Sequence, residues 1–212
     1  LGAVLPTLVL IAMTLAKTGG VWEYALDDVY IHLAMSEQLW QGGYGVNAGE
    51  YASASSSILY SYLLAPFSPF GFHAYWPLIL GLAGLVASAI LWARVLGFAS
   101  DGASAAMQWA LIALAALGPL FLGWPSMALI GMEHMLHIMV TLMALVGLLQ
   151  FARDGRIGWL LIAGIVLNPV LRFEGMPIAV VASAVVFFGG RKVAGLGLLV
   201  AAIVPLAAHF AL

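Results

Sequence analysis

Long apolar runs separated by short polar breaks dominate the pattern of hydrophobic and polar positions along this chain. The first run covers residues 1–16 and is closed by Lys17, Thr18 and two glycines. Six later runs cover residues 74–92, 104–122, 133–150, 157–171, 176–188 and 193–212. Continuous apolar runs of about 20 residues predict helices that cross a bilayer. The pattern therefore predicts an all-α integral membrane protein with seven transmembrane helices.

A polar stretch, residues 18–73, interrupts this pattern after the first apolar run. Within it, residues 21–62 contain five of the nine acidic residues and neither Lys nor Arg. Residues 57–67 predict a short helix, which cannot cross a bilayer because each residue adds only about 1.5 Å. Residues 29–40 predict an amphipathic helix on the membrane surface, with one side formed by Ile31, Ala34, Met35 and Gln38. We expect residues 18–73 to form an outer loop that contains this surface helix and a half-embedded helix.

Composition agrees with a membrane protein and excludes several other classes. The chain is 64% hydrophobic and 8% charged, whereas soluble domains are about 25% charged. A net charge of -2 without a basic stripe argues against a nucleic-acid partner. Without cysteine, the chain forms no disulfide and no thiolate site. Because it begins at Leu1 and stops at Leu212 inside an apolar run, we expect residues 1–212 to be a single transmembrane domain of a longer, incomplete chain.

Basic residues predict the orientation of the helices. Five of the seven basic residues fall in three breaks that share one side of the membrane, at Arg94, Arg153, Arg156, Arg191 and Lys192, whereas Lys17 and Arg172 lie on the other side. The positive-inside rule makes the side of these five residues cytoplasmic. The acidic loop 18–73, the segment 123–137 and the turn 168–177 are then expected on the outer side.

Asp27 and Asp28 are the sharpest candidate catalytic residues. Paired carboxylates in an acidic segment at an outer membrane surface are suited to general-base chemistry. An alternative is that they cap the N-terminus of the helix at residues 29–40, where carboxylates favour free N–H groups and the helix dipole. The two roles are compatible, because a rigid helix start is a good place to hold a base.

Two further charged groups are expected on the outer side. Glu133 and His137 are four residues apart and share a helical face, with His134 beside them. That spacing fits metal coordination, or alternatively a hydrogen-bonded histidine pair. Arg172 and Glu174 lie between two short apolar runs, where arginine is an apt partner for a lipid phosphate. The alternative for this second group is a local ion pair that closes the turn.

Four segments carry a family resemblance, and they read LDDVYIHLAMSEQLWQGGYGVNAGE, ASASSSILYSYL, GMEHML and VLRFEGMP. In this order they resemble the N-terminal module of the polytopic glycosyltransferases of the C superfamily (GT-C). The closest pattern is that of bacterial enzymes similar to the mycobacterial terminal arabinofuranosyltransferases. The resemblance implies a membrane enzyme that transfers a sugar from a polyprenyl-phosphate donor to a glycan, lipid or protein acceptor. His134 and Phe173 depart from the family pattern, which has Thr and Pro at these positions.

The resemblance also implies roles for individual residues. The acceptor-side acid falls on Asp27 or Asp28, and the second-loop acid falls on Glu133. Further substrate-binding candidates are Tyr30, His32, His134, His137, Arg172 and Glu174. A divalent cation is the cofactor to consider, with Asp28, Glu133 and His137 as its candidate ligands. The expected location is the bacterial cytoplasmic membrane, with membrane lipids as partners and the active site on the periplasmic face.

Two other functions remain open from the sequence. Acidic residues facing a membrane cavity also mark transporters and channels, although here the charges cluster at one face rather than at mid-depth. The short chain is also compatible with a non-catalytic, GT-C-like structural subunit of a membrane complex. Transfer from a polyprenyl-phosphate sugar, lost on substitution of either aspartate, distinguishes the enzyme from both.

Overall fold

The computed structural model describes residues 2–211, and this part of the chain is helical without a β-strand. Its ten α-helices, α1 to α10 in chain order, cover Val4–Lys17, Asp28–Trp40, Ile58–Leu64, Trp76–Phe98, Ala105–Phe121, Trp124–Leu129, His134–Asp154, Trp159–Leu171, Met176–Phe188 and Lys192–Phe210. Short 3-10 turns occur at Ala65–Phe67, His73–Tyr75 and Phe173–Gly175. The all-α prediction is confirmed for residues 2–211.

Each predicted apolar run contains one of these helices, with ends that differ by a few residues. Among the described residues, three helical stretches are long and apolar enough to cross a membrane, and they cover residues 73–98, 134–154 and 192–210. The other predicted crossings correspond to α1, α5, α8 and α9, which have 10–17 residues. The number of crossings therefore stays a prediction. Helix α3 with the turn after it matches the short helix expected at residues 57–67.

The chain divides into two compact units. Unit 1 comprises residues 1–86 and 116–136, and unit 2 comprises residues 87–115 and 137–212. In unit 1, helix α2 packs on α3 and on the turn that follows α3. The Tyr24 hydroxyl donates to the Ala74 carbonyl at 2.8 Å and accepts from the Leu78 N–H at 3.1 Å. Because Leu78 lies in the first turn of α4, this hydroxyl satisfies a helix N-terminus and ties the acidic loop to it.

The side of α2 that packs against the rest of unit 1 carries polar as well as apolar residues. Of the four residues expected on its apolar face, only Met35 is buried. The buried side chains of the helix are Val29, His32, Leu33, Met35 and Ser36. Polar groups face inward here because they have polar partners: the Ser36 hydroxyl lies 2.9 Å from Nε2 of His73. The helix therefore presents a histidine and a serine to the interior of unit 1.

Unit 2 is held together by the packing of α8, α9 and α10. Its core contains Phe151, Leu161, Ile165, Ala179, Ala182, Val186, Leu198 and Ala202. Glycines allow α7 and α8 to approach closely, since a Cβ at Gly164 would lie 2.3 Å from the Ala144 nitrogen. Close contact through small residues is typical of helices packed in membranes.

Candidate functional site

A small cleft in unit 1 brings together three of the four segments that carry the family resemblance. Its volume is about 130 Å³, and it is lined by Asp28, Ile31, His32, Ala54, Ser56 and Met132. These residues come from α2, from the serine-rich segment before α3, and from the segment before α7. The cleft is therefore a tertiary feature that no single sequence motif forms.

Asp27 and Asp28 lie at the start of α2, and both are exposed. The backbone carbonyl of Asp27 accepts from the N–H of Tyr30 at 2.9 Å and of Ile31 at 3.3 Å. The Asp27 side chain makes no capping hydrogen bond to the helix. Asp28 is the aspartate that lines the cleft. Side-chain capping by Asp27 is therefore not observed, and the Asp28 carboxylate is accessible to a molecule in the cleft.

His32, one turn after Asp28, is buried among polar partners. Its Nδ1 lies 3.1 Å from the Ser55 hydroxyl oxygen and 3.3 Å from that of Ser61. The Ser55 hydroxyl donates its one proton to the Ser57 carbonyl at 2.6 Å. Ser55 can then only accept from the ring, which places a proton on Nδ1 of His32. These contacts fix both the orientation and the tautomer of the imidazole.

Glu133 faces the other side of that imidazole. The Glu133 side chain is fully buried, and its Oε2 lies 3.6 Å from Nε2 of His32. Its Oε1 accepts from the Ser56 hydroxyl at 3.2 Å. The imidazole of His32 therefore lies between the serine hydroxyls on its Nδ1 side and the Glu133 carboxyl group on its Nε2 side. Buried carboxyl groups usually need such partners, since burying an unpaired charge is costly.

The last three serines of the serine-rich segment each contact a different group. Ser55 contacts His32, Ser56 contacts Glu133, and the Ser57 hydroxyl accepts from the Tyr60 N–H at 3.1 Å. Ser57 has extended backbone angles and is the N-cap of α3. The sequence analysis did not single out these serines. A serine immediately before an apolar helix is the signal that predicts the cap, but nothing local predicts the other two contacts.

The remaining candidates near this cleft have mainly structural surroundings. Tyr30 is exposed, and its hydroxyl accepts from the Tyr24 N–H at 3.2 Å. His134 is half-buried and begins α7 directly after Glu133. Both residues belong to unit 1 together with Asp27 and Asp28.

Unit 2 contains the other candidates, His137, Arg172 and Glu174. The Arg172 Nη2 donates to Oε1 of Glu174 at 3.0 Å, across the turn between α8 and α9. This hydrogen bond lowers the pKa of Glu174, and the charge of His137 adds a smaller effect of the same sign. The local ion pair that closes the turn is therefore confirmed. An additional contact of Arg172 with a lipid phosphate stays a prediction.

No cluster of three His, Asp or Glu side chains within residues 2–211 is arranged to hold a metal ion. In the candidate ligand set, Asp28 and Glu133 belong to unit 1 and His137 belongs to unit 2, so a metal site formed by these three residues stays a prediction. Comparison of the chain with protein-family models, with characterised proteins and with solved structures gives no match.

Proposed function

We propose that this chain is a module of a multi-pass membrane glycosyltransferase of the GT-C type, with seven crossings. It transfers a sugar from a polyprenyl-phosphate donor to a glycan, lipid or protein acceptor on the outer face of the membrane. One observation carries the proposal: Asp28, Ser56 and Met132, from three segments that resemble the family, line one cleft. An accessible carboxylate in such a cleft is the feature that the reaction needs.

Asp28 is the proposed general base. Its carboxylate takes the proton of the acceptor hydroxyl while that oxygen forms a bond to the anomeric carbon of the sugar. The bond between the anomeric carbon and the phosphate oxygen breaks, and the polyprenyl phosphate leaves with the bonding electrons. General-base catalysis of this kind contributes about 10²–10⁴-fold to a rate. The buried pair of His32 and Glu133 holds the wall of the cleft in place beside Asp28.

The size of the cleft limits what it holds. Its volume is about 130 Å³, whereas pockets for drug-sized ligands measure about 300–1,000 Å³. It therefore suits the acceptor hydroxyl and its immediate neighbours rather than a whole lipid-linked sugar. Arg172 is the proposed partner of the donor phosphate, because guanidinium groups bind phosphate through paired hydrogen bonds.

The test is transfer of labelled sugar by the chain in proteoliposomes that contain a polyprenyl-phosphate sugar and candidate acceptors. We expect Asp28→Asn to lower the transfer rate by about 100-fold or more while donor binding is retained. Glu23→Gln is the matched control, because Glu23 is an exposed acid of the same loop and does not line the cleft. Equal loss in both variants contradicts the role of Asp28.

Two further variants test the binding of the donor phosphate. Arg172→Gln removes the proposed phosphate partner, whereas Glu174→Gln breaks the same ion pair and keeps the guanidinium. We expect weaker donor binding only for Arg172→Gln. Donor binding without any sugar transfer would favour a non-catalytic subunit. Ion flux through the proteoliposomes without transfer would favour a channel or transporter.

A further inference from the structure

Two clefts in unit 2 meet at Gly97, near the C-terminal end of α4. One is polar, has a volume of about 370 Å³, and is lined by side chains that include Arg94, Asp101, Gln150 and Arg153. The other has a volume of about 470 Å³, runs between α4 and α5, and is mainly apolar. Gly97 lines both of them. A single molecule with a polar end and an apolar end fits this arrangement.

The polar cleft has an uncompensated positive charge. Arg153 Nη1 donates to Oδ2 of Asp101 at 3.0 Å, so these two residues neutralise one another. Arg94 is exposed and forms no ion pair within residues 2–211. The cleft therefore presents one free guanidinium, which matches the single negative charge of a phosphodiester.

The apolar cleft is suited to a hydrocarbon chain. Its walls include Leu96, Leu111, Ile112 and the alanines Ala93 and Ala115, and the polar residues Ser100 and Gln108 also line it. The leucine, isoleucine and alanine side chains leave an apolar groove along α4 that starts beside the positive charge. Arg94 and Arg153 belong to the side that the basic residues predict to be cytoplasmic, where anionic lipids are concentrated.

We propose that unit 2 binds one anionic phospholipid at this junction. The phosphodiester lies against Arg94, with Gln150 as a further donor, and one acyl chain follows the groove between α4 and α5. The proposal depends on the membrane location of the chain and not on sugar transfer. Loss of transfer in an Asp28 variant therefore leaves it unaffected.

Lipid retention by the purified full chain in detergent tests whether the charge of Arg94 contributes to binding. Native mass spectrometry during titration with phosphatidylglycerol should detect one tightly retained lipid per chain, with phosphatidylcholine retained far more weakly. Arg94→Gln should weaken retention by roughly tenfold, the loss expected for one charge-assisted hydrogen bond. Arg156→Gln is the control, because it removes an exposed arginine that lies outside the cleft. Equal weakening in both variants would mean non-specific attraction and overturn the site.

Gly97→Leu tests the junction between the clefts. A Cβ at Gly97 meets no atom within 4 Å, so a leucine fills open space and keeps the helix intact. We expect this variant to lose phosphatidylglycerol retention at an unchanged melting temperature, whereas Ala99→Leu, just beyond α4, retains the lipid. Unchanged retention in Gly97→Leu would overturn the proposal.

Two further variants test the charges of the polar cleft. Asp101→Asn breaks the ion pair with Arg153 but keeps both arginines, so lipid retention should persist or increase, whereas Arg153→Gln should reduce it.

A competition experiment separates a lipid site from a site for a free anion. Soluble glycerol phosphate should compete poorly with phosphatidylglycerol, because it has no acyl chain for the groove. Competition by glycerol phosphate at the concentration of the lipid would show an anion site only, and would overturn the lipid assignment.

Discussion

Oε2 of Glu133 lies 3.6 Å from Nε2 of His32, and both side chains are buried in unit 1. The serine contacts on Nδ1 leave Nε2 as the side of the imidazole that faces the carboxyl group. The pair links α2 to the segment before α7, and its His32 lines the same cleft as Asp28.

Substitution of this pair should show strong coupling. His32→Ala leaves the buried Glu133 carboxyl without its imidazole, and we expect a loss of about 3 kcal/mol in unfolding free energy. Glu133→Gln keeps the shape and can still accept from Ser56, so its cost should be about 1 kcal/mol. The double variant should cost less than both together, because the buried charge is gone. A double-mutant cycle in detergent measures this coupling, and additive losses would contradict it.

Gly131 should tolerate no side chain. Its φ is +80°, and a Cβ there would lie 2.4 Å from Cε1 of Tyr24. We expect Gly131→Ala to cost about 3 kcal/mol, from backbone strain and overpacking together. Gly102→Ala is the control, because Gly102 has a φ of +75° and open space around it. Gly102→Ala should cost only the contribution of backbone strain, about 1 kcal/mol. Similar melting temperatures for the two variants would argue against the Tyr24 contact.

The contribution of Tyr24 to stability should depend on alkaline pH. Burial raises the pKa of the Tyr24 hydroxyl above its ordinary value. A pKa that is higher in the folded chain means stability that is complete below the unfolded pKa of about 10 and is lost as pH rises beyond it. Tyr24→Phe should cost about 1 kcal/mol at pH 7, and its difference from the unsubstituted chain should shrink above about pH 10. Thermal unfolding at several pH values measures both effects. Tyr51→Phe, at an exposed position, should change neither the stability at pH 7 nor its dependence on alkaline pH.

Single cysteines test the predicted orientation, and the chain has no cysteine of its own. Gly45 is a poor labelling position, because a Cβ there would lie 2.8 Å from the Glu50 carbonyl oxygen. Ala48 is exposed in the same loop. An impermeant thiol reagent added outside should label Ala48→Cys and not Gly155→Cys, whose side chain would meet open space. Labelling of both from one side would contradict the seven-crossing topology.

The helices were largely predictable, because long apolar runs leave few alternatives to a helix. Helix α6 was not predicted, since its sequence resembles a loop. It follows Gly123 in a left-handed conformation and has Pro125 in its first turn. Proline is favourable at that position because the N–H it lacks would have no helical partner.

The site was less predictable than the helices. Asp28, His32 and Glu133 were named from the sequence, but their arrangement was not. Periodicity predicted that the Ile31 side of α2 faces the membrane, because it counts apolar residues, and it did not predict which residues pack against the protein. The observed burial of His32 depends on serine and glutamate partners from distant segments. No local pattern contains that information.

Ser55, Ser56 and Ser57 form three contacts in three directions from consecutive positions. Substitution of one serine removes the hydrogen bonds of that hydroxyl group and leaves the other two hydroxyl groups at their positions. Removal or insertion of a single residue before α3 would shift every hydroxyl by one position, so the cap, the histidine contact and the glutamate contact could not all be restored. The length of this segment is thus constrained more tightly than its composition, and variants that tolerate a changed serine should still reject a changed residue count.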